Sequence, residues 1–270
     1  MHALQQRPPG VFAGVRFVLT DMDETLTHQG RLAAATYHAL EQLQQAGIRV
    51  IPVTAAPAGW CDQMARMWPV DGVIGENGGF FFRRDGQHGL ARRFWHGEYT
   101  EAVMQALRDK RDDLRRRLPW ATLSDDQPFR LTSLAFARED DPARERELAA
   151  AMREAGLDVT VNNLWVLGWI GGYDKLAAAR RVLEQEYAVG DALAQEVLAY
   201  SGDSINDAPM FAHYRHTLGV STIRQCLEQL PKAPAWISDG PGGAGFIEFA
   251  HAILADRAAA PVPASPGELA

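Results

Sequence analysis

The chain has 270 residues, 47% of them hydrophobic and 23% charged, which is the composition of a globular protein able to bury the core of one large or two modest domains. Lys+Arg 27 against Asp+Glu 34 gives a net charge of -7, and this argues against a general nucleic-acid binder and against non-specific adhesion to an anionic membrane. No run is long and apolar enough to span a bilayer, residues 1–10 lack the apolar stretch of a signal peptide, and two cysteines, Cys61 and Cys226, make no disulfide scaffold, so a cytoplasmic protein is expected.

Residues 1–10 are polar and Pro-rich and read as a flexible tail. Residues 15–20 (VRFVLT) form a short apolar run, as in a strand buried on both faces. Leu32, Thr36, Leu40 and Leu43 then recur at helical spacing, and Gly47 supplies a stop. Residues 48–54 predict a second strand, 59–68 a helix and 71–75 a third strand. That alternation with short links predicts a parallel sheet.

The rhythm changes near residue 80. Two strand-like runs flank Asp85-Gly86, a helix is predicted over 98–118, a strand over 129–138, a helix over 142–155, and a hairpin over 158–170 turning at Asn162-Asn163. This is an antiparallel sheet with two helices. After Gly172 the first pattern returns, with a helix over about 175–187, a strand at 197–201, a helix from about 207, and strands at 217–220 and 235–238. The fold class predicted is therefore α/β, a parallel-sheet core (11–80 and 171–256) interrupted by an α+β module (81–170), with a second flexible tail at 257–270.

Two acidic motifs follow predicted strands. Asp21 and Asp23, two residues apart at a strand end, point to the same side, and ligands in open α/β sheets bind beyond the carboxyl ends of strands. A turn or helix cap accounts for one of these aspartates and poorly for the pair. In Ser201-Gly202-Asp203-Ser204-Ile205-Asn206-Asp207 the acids Asp203 and Asp207 stack on one face if the segment makes a helical turn. Such like charges repel unless a cation lies between them, and oxygen ligands suit Mg²⁺. Thr54 ends the second strand, and Lys175 opens a helix that Asp174 can cap; alone, each reads as an ordinary residue of its element.

Taken in order, Asp21-x-Asp23-x-Thr25, Thr54, Lys175 and Gly202-Asp203-x-x-Asn206-Asp207 resemble the motifs of the haloacid dehalogenase superfamily of phosphatases. The likeness is to the branch with an α+β cap inserted between the Thr and Lys motifs, which includes sucrose-phosphatase and mannosyl-phosphoglycerate phosphatase. The resemblance implies a Rossmann-like core and Mg²⁺-dependent hydrolysis of a small phosphorylated metabolite, a sugar phosphate in that branch, through an aspartyl-phosphate. It implies Asp21 as nucleophile and Asp23 as general acid and then base. Thr54 and Lys175 would hold the phosphoryl oxygens, and Asp21, the Asp23 carbonyl and Asp203 would ligate Mg²⁺ with support from Asp207. Asn206, Asn77 of the Glu76-Asn77-Gly78 loop, and Asn163 on the cap hairpin would touch substrate. Asn162, Trp165, Arg92, Arg93, Trp95 and Arg130 are further cap candidates.

One departure stands out, because Thr54-Ala55-Ala56 replaces the frequent Thr-Gly-Arg. Glu24, where many relatives carry glycine, is a lesser one. A phosphomutase on the same scaffold stays open. So does a serine esterase, since Gly202-Asp203-Ser204 also resembles the GDS motif of a lipase and esterase family. Gly240 to Gly245 matches a dinucleotide-binding glycine pattern but lacks the strand that should follow, so it reads as a loop.

Overall fold

The computed structural model describes residues 1–162 and 164–259. Asn163 and residues 260–270 lie outside the described residues. The strands are β1 (His2–Ala3), β2 (Phe17–Thr20), β3 (Thr27–His28), β4 (Arg31–Leu32), β5 (Arg49–Pro52), β6 (Val73–Gly75), β7 (Phe80–Asp85), β8 (Gly89–Phe94), β9 (Ser133–Ala137), β10 (Asp158–Val161), β11 (Trp165–Trp169), β12 (Leu198–Gly202), β13 (His216–Gly219) and β14 (Trp236–Ile237). The helices are α1 (Ala34–Gln45), α2 (Ala58–Met67), α3 (Thr100–Arg117), α4 (Pro142–Glu154), α5 (Lys175–Tyr187), α6 (Asp191–Val197), α7 (Ala208–His213) and α8 (Gly242–Ala258).

Six strands form a parallel sheet in the order β1-β14-β13-β12-β2-β5. The side-chain period of two decides which face each residue serves. Val18 of β2 packs with Leu40 and Leu43 of α1, Met64 of α2 and Phe249 of α8. Its neighbours Phe17 and Leu19 pack on the opposite face with Ala179 and Leu183 of α5 and Phe211 of α7. Both faces are apolar because both are covered, which is why the strand sequences read as continuous hydrophobic runs.

Between β8 and α5 a second sheet, β10-β11-β9, is antiparallel. On one face Leu134, Phe136 and Val166 pack with Leu107 and Leu114 of α3 and Leu148 and Met152 of α4. On the other, Ala135, Leu167 and Trp169 pack against Tyr173 and against Ala55 of the core. The small sheet therefore sits directly over the loop that follows β5.

The structure corrects five expectations. Residues 1–10 are not a free tail, because His2 and Ala3 pair with Trp236 and Ile237 and Leu4 is buried. Likewise Arg257 and Ala258 complete α8 instead of opening a tail. The third strand, β6, meets the parallel sheet through one bridge, Val53 to Ile74, and otherwise pairs antiparallel with β7. Gly242 to Gly245 belong to the first turns of α8 and not to a loop. Gly243 lies so close to Thr36 and the Leu26 carbonyl that a Cβ would clash with both, so these glycines serve close packing. The predicted strand over 129–138 starts only at Ser133, since residues 127–129 make a 3-10 turn. Helix α6 was not expected from its short, weakly patterned sequence.

Candidate active site

Asp21 directly follows β2, and its N–H donates to the Ser201 carbonyl of β12 (2.8 Å). Ser201 Oγ donates to Thr20 Oγ1 (2.7 Å), so the two central strand ends are tied together. Because β2 and β12 are parallel neighbours, they deliver both acidic motifs to one edge of the sheet. Asp21, Asp203 and Asp207 are buried and bring carboxylate oxygens within 4.8 Å of one another. Lys175, the first residue of α5 and 2% exposed, places Nζ 2.8 Å from both Asp21 Oδ1 and Asp207 Oδ1. Asp174 caps this helix by accepting from the Ala177 N–H (2.7 Å), which aims Lys175 inward.

Asp207 has every acceptor direction occupied. Oδ1 takes Lys175 Nζ (2.8 Å) and Tyr200 Oη (2.5 Å), and Oδ2 takes the N–H groups of Asp203 (3.0 Å) and Ser204 (3.2 Å). It orients the lysine and the Gly202–Asn206 turn. Asp203 accepts from Thr25 Oγ1 (3.2 Å), which gives the last residue of the first motif its place. Three carboxylates against one ammonium leave two negative charges, matching one divalent cation. The all-oxygen donor set fits Mg²⁺, with Asp21 and Asp203 as the carboxylates that have room to ligate.

The titrations reflect this crowding. Burial, then the Asp21 and Asp207 charges, pushes Asp203 well above the usual carboxylate range. Burial also raises Asp21 against the pull of Lys175. Asp23 is half-exposed to the cleft, and desolvation followed by the Asp21 charge pushes it up to about 7, with Lys175 and Arg130 opposing. Burial would lower Lys175, but Asp207 and Asp21 outweigh it and raise the ammonium's pKa.

A cavity of about 80 Å³ is lined by Asp21, Asp23, Glu24, Ala55, Asn162 and Asn206 among others. It shares Asn162, Asp203, Ser204 and Asn206 with an adjoining cleft of about 280 Å³ that reaches Arg138, Thr222 and Gln225. Of the expected residues, Asp21, Asp23, Lys175, Asp203, Asp207 and Asn206 are thus brought together. Thr54 is fully buried behind Ala55, at the neighbouring strand end, and its Oγ1 accepts from the Ala56 N–H (3.0 Å). Asn77 is buried and joins Thr54 through its N–H to the Thr54 carbonyl (2.9 Å). Asn162 borders the cleft, its Oδ1 accepting from Leu164 and Trp165 N–H groups.

Other expected cap contacts lie elsewhere. Arg92, Arg93 and Trp95 line a separate cavity of about 340 Å³ against α5, where Arg92 pairs with Asp62 and Arg93 with Glu186. Arg130 is buried and paired with Asp126, so it cannot reach a substrate. Ser204 Oγ donates to Asn206 Oδ1 (2.7 Å), and no histidine lines either cleft among the described residues, which removes the base that a serine esterase needs. Sequence reasoning missed Arg138, Tyr200 and Glu76. Glu76 is fully buried at φ 47, and its carboxylate accepts from the N–H groups of Ala58, Leu131 and Thr132 and from the Thr132 and Ser133 hydroxyls.

Comparison with known proteins agrees with this geometry. Residues 18–128 match the model of a family described as haloacid dehalogenase-like hydrolase. A phosphoglycolate phosphatase of Methanoculleus marisnigri is 27% identical over 236 residues, covering 87% of this chain and 94% of the relative. A Thermoplasma acidophilum protein superposes with a TM-score of 0.71 at 18% identity, over 89% of this chain and 99% of its own. A Synechocystis sucrose-phosphatase, solved with sucrose and phosphate, does so with a TM-score of 0.64 at 14% identity, over 89% and 98%. With its parallel sheet, its inserted antiparallel sheet and its buried acids, the chain is similar to the haloacid dehalogenase-like hydrolases in fold and, over residues 18–128, in sequence.

Proposed function

We propose that the chain is a phosphatase hydrolysing the phosphate monoester of a small metabolite with Mg²⁺, through an aspartyl-phosphate on Asp21. The observation that carries this reading is Lys175 clamped between Asp21 and Asp207 beside Asp203. Bound by Asp21 and Asp203, with the Asp23 carbonyl as a further oxygen, Mg²⁺ would neutralise carboxylate and phosphoryl charge.

Asp21 keeps Oδ1 on Lys175, which leaves Oδ2 to attack phosphorus. The ester P–O bond breaks, and Asp23 gives its proton to the departing oxygen. Asp23 then takes a proton from water, whose oxygen attacks phosphorus and frees Asp21. A carboxyl near 7 suits both tasks at neutral pH. Lys175 offsets charge on the phosphoryl oxygens, aided by Thr54.

We assign specificity to residues 81–170, which bring Asn162, Leu164 and Arg138 to the cleft. Its uncharged polar lining (Asn162, Ser204, Asn206, Thr222 and Gln225) suits the hydroxyls of a sugar phosphate. The Methanoculleus relative favours phosphoglycolate as a second reading, with Arg138 the cation that a carboxylate would meet. The free thiols of Cys61 and Cys226 support a cytoplasmic location.

The test is phosphate release from sugar phosphates, phosphoglycolate and an aryl phosphate, with Mg²⁺ or EDTA. Asp21→Asn and EDTA should each abolish release. Full turnover by Asp21→Asn would refute the mechanism, and interconversion of sugar phosphates without phosphate release would identify a phosphomutase. The ranking of kcat/KM separates the two substrate readings.

A further inference from the structure

The segment Thr54-Ala55-Ala56 carries no charge, yet each of its carbonyls meets a donor. The Thr54 carbonyl accepts from the Asn77 N–H (2.9 Å) and the Ala56 carbonyl from the Glu76 N–H (3.2 Å). The middle one, Ala55, accepts from Arg130 Nη1 (3.0 Å), which comes from the inserted segment. The Arg130 side chain is 1% exposed. It is gripped by Asp126 through two parallel bonds, Nε to Oδ1 (2.9 Å) and Nη2 to Oδ2 (2.7 Å), and Nη1 also donates to Ser133 Oγ (3.2 Å). The next two residues are fixed as well, since the Leu131 and Thr132 N–H groups donate to Glu76. A planar fork locked on one carboxylate leaves its remaining N–H groups aimed in a set direction.

Ala55 lines the cavity with Asp21 and Asp23. We propose that Arg130 is a positioning residue, whose guanidinium holds the Ala55 peptide and thereby sets the Thr54 loop that grips the phosphoryl group. The inference rests on the phosphatase reading above. The catalytic loop thus takes the cation bonded to its Ala55 carbonyl from the inserted segment, and the loop attains its working shape only when that segment is folded onto it. Loss of the contact leaves substrate recognition at the cleft walls in place and misplaces the phosphoryl grip, where a shift of about 1 Å can cost 10²-fold.

The experiment compares Arg130→Lys and the double variant Arg130→Met with Asp126→Leu against the parent, using an aryl phosphate with Mg²⁺. The double variant removes both buried charges together, a change that is often near neutral for stability. Lysine keeps the charge without the fork, so it tests geometry if the double variant does not fold. In each folded variant, kcat should fall on the order of 10- to 100-fold with KM within about 3-fold. Parental kcat in either folded variant would overturn the proposal, as would a loss carried wholly by KM. Asp21→Asn, measured alongside, separates the two claims. If it is dead while the Arg130 variants are fully active, only the positioning role fails; if it is active, the phosphatase reading fails.

Discussion

Gly202 shows how little room the site leaves at a single residue. A Cβ there would fall inside contact distance of the Asp207 carboxylate. Asp207 cannot move aside without releasing Lys175, Tyr200 and two backbone N–H groups. Gly202→Ala is therefore expected to lower kcat by about 10²-fold or more and to cost about 1–3 kcal/mol by overpacking. Steady-state kinetics and a melting curve check both parts. The acids Asp21, Asp23, Asp203 and Asp207 were legible in the sequence because each pair has a spacing that a single cap or turn does not explain. Tyr200 was not legible, since an apolar strand hides it, and Arg130 was legible only as a candidate for substrate contact, not as the partner of Asp126 and Ala55. Only the fold brings Arg130 to Ala55, 75 residues away along the chain.

Elements were legible where one periodicity dominated. The helices α3, α4 and α5 lie close to their expected bounds because the apolar positions recur cleanly and Asp141 and Asp174 cap the latter two. Element ends set by tertiary contacts were not legible, as with β6, which turns from the parallel sheet toward β7, and β1, which needs β14 to exist. The end of α5 is a testable detail. Ala188 follows the helix at φ 54, in the left-handed region, and it is exposed. Glycine adopts that conformation without the Cβ penalty. Ala188→Gly is expected to stabilise the fold by about 1 kcal/mol, a rise of about 2–4 °C in Tm at this size, with kcat unchanged. An unchanged or lower Tm would show that the left-handed cap is not strained.

For the whole molecule, the buried acids link stability to pH and metal. Burial holds Asp203 and Asp21 above the usual carboxylate range, so the folded state retains protons that the unfolded chain has lost. Such groups stabilise fully below the ordinary carboxylate pKa, and their contribution is lost as pH rises through the raised values. Without metal the fold is expected to weaken between about pH 4 and pH 9 from this source. Mg²⁺ competes with those protons and favours the ionised site. The Tm increase caused by Mg²⁺ should therefore be larger at pH 8 than at pH 5.5, as thermal melts with and without the metal would show. An increase independent of pH would mean that the cation binds away from Asp21 and Asp203.

The pairing of β2 with β12 has a consequence for the order of events as the chain folds. Thr25 and Asp203, in contact in the site, are 178 residues apart in sequence. Closing so distant a contact is slow compared with forming local helices and hairpins. A nascent chain can carry Asp21, the Thr54 loop and residues 81–170 while still lacking Lys175, Asp203, Asp207 and the strand β12 that seats the second pair of acids. On the mechanism proposed above, hydrolytic competence arrives late, after synthesis has passed Asp207.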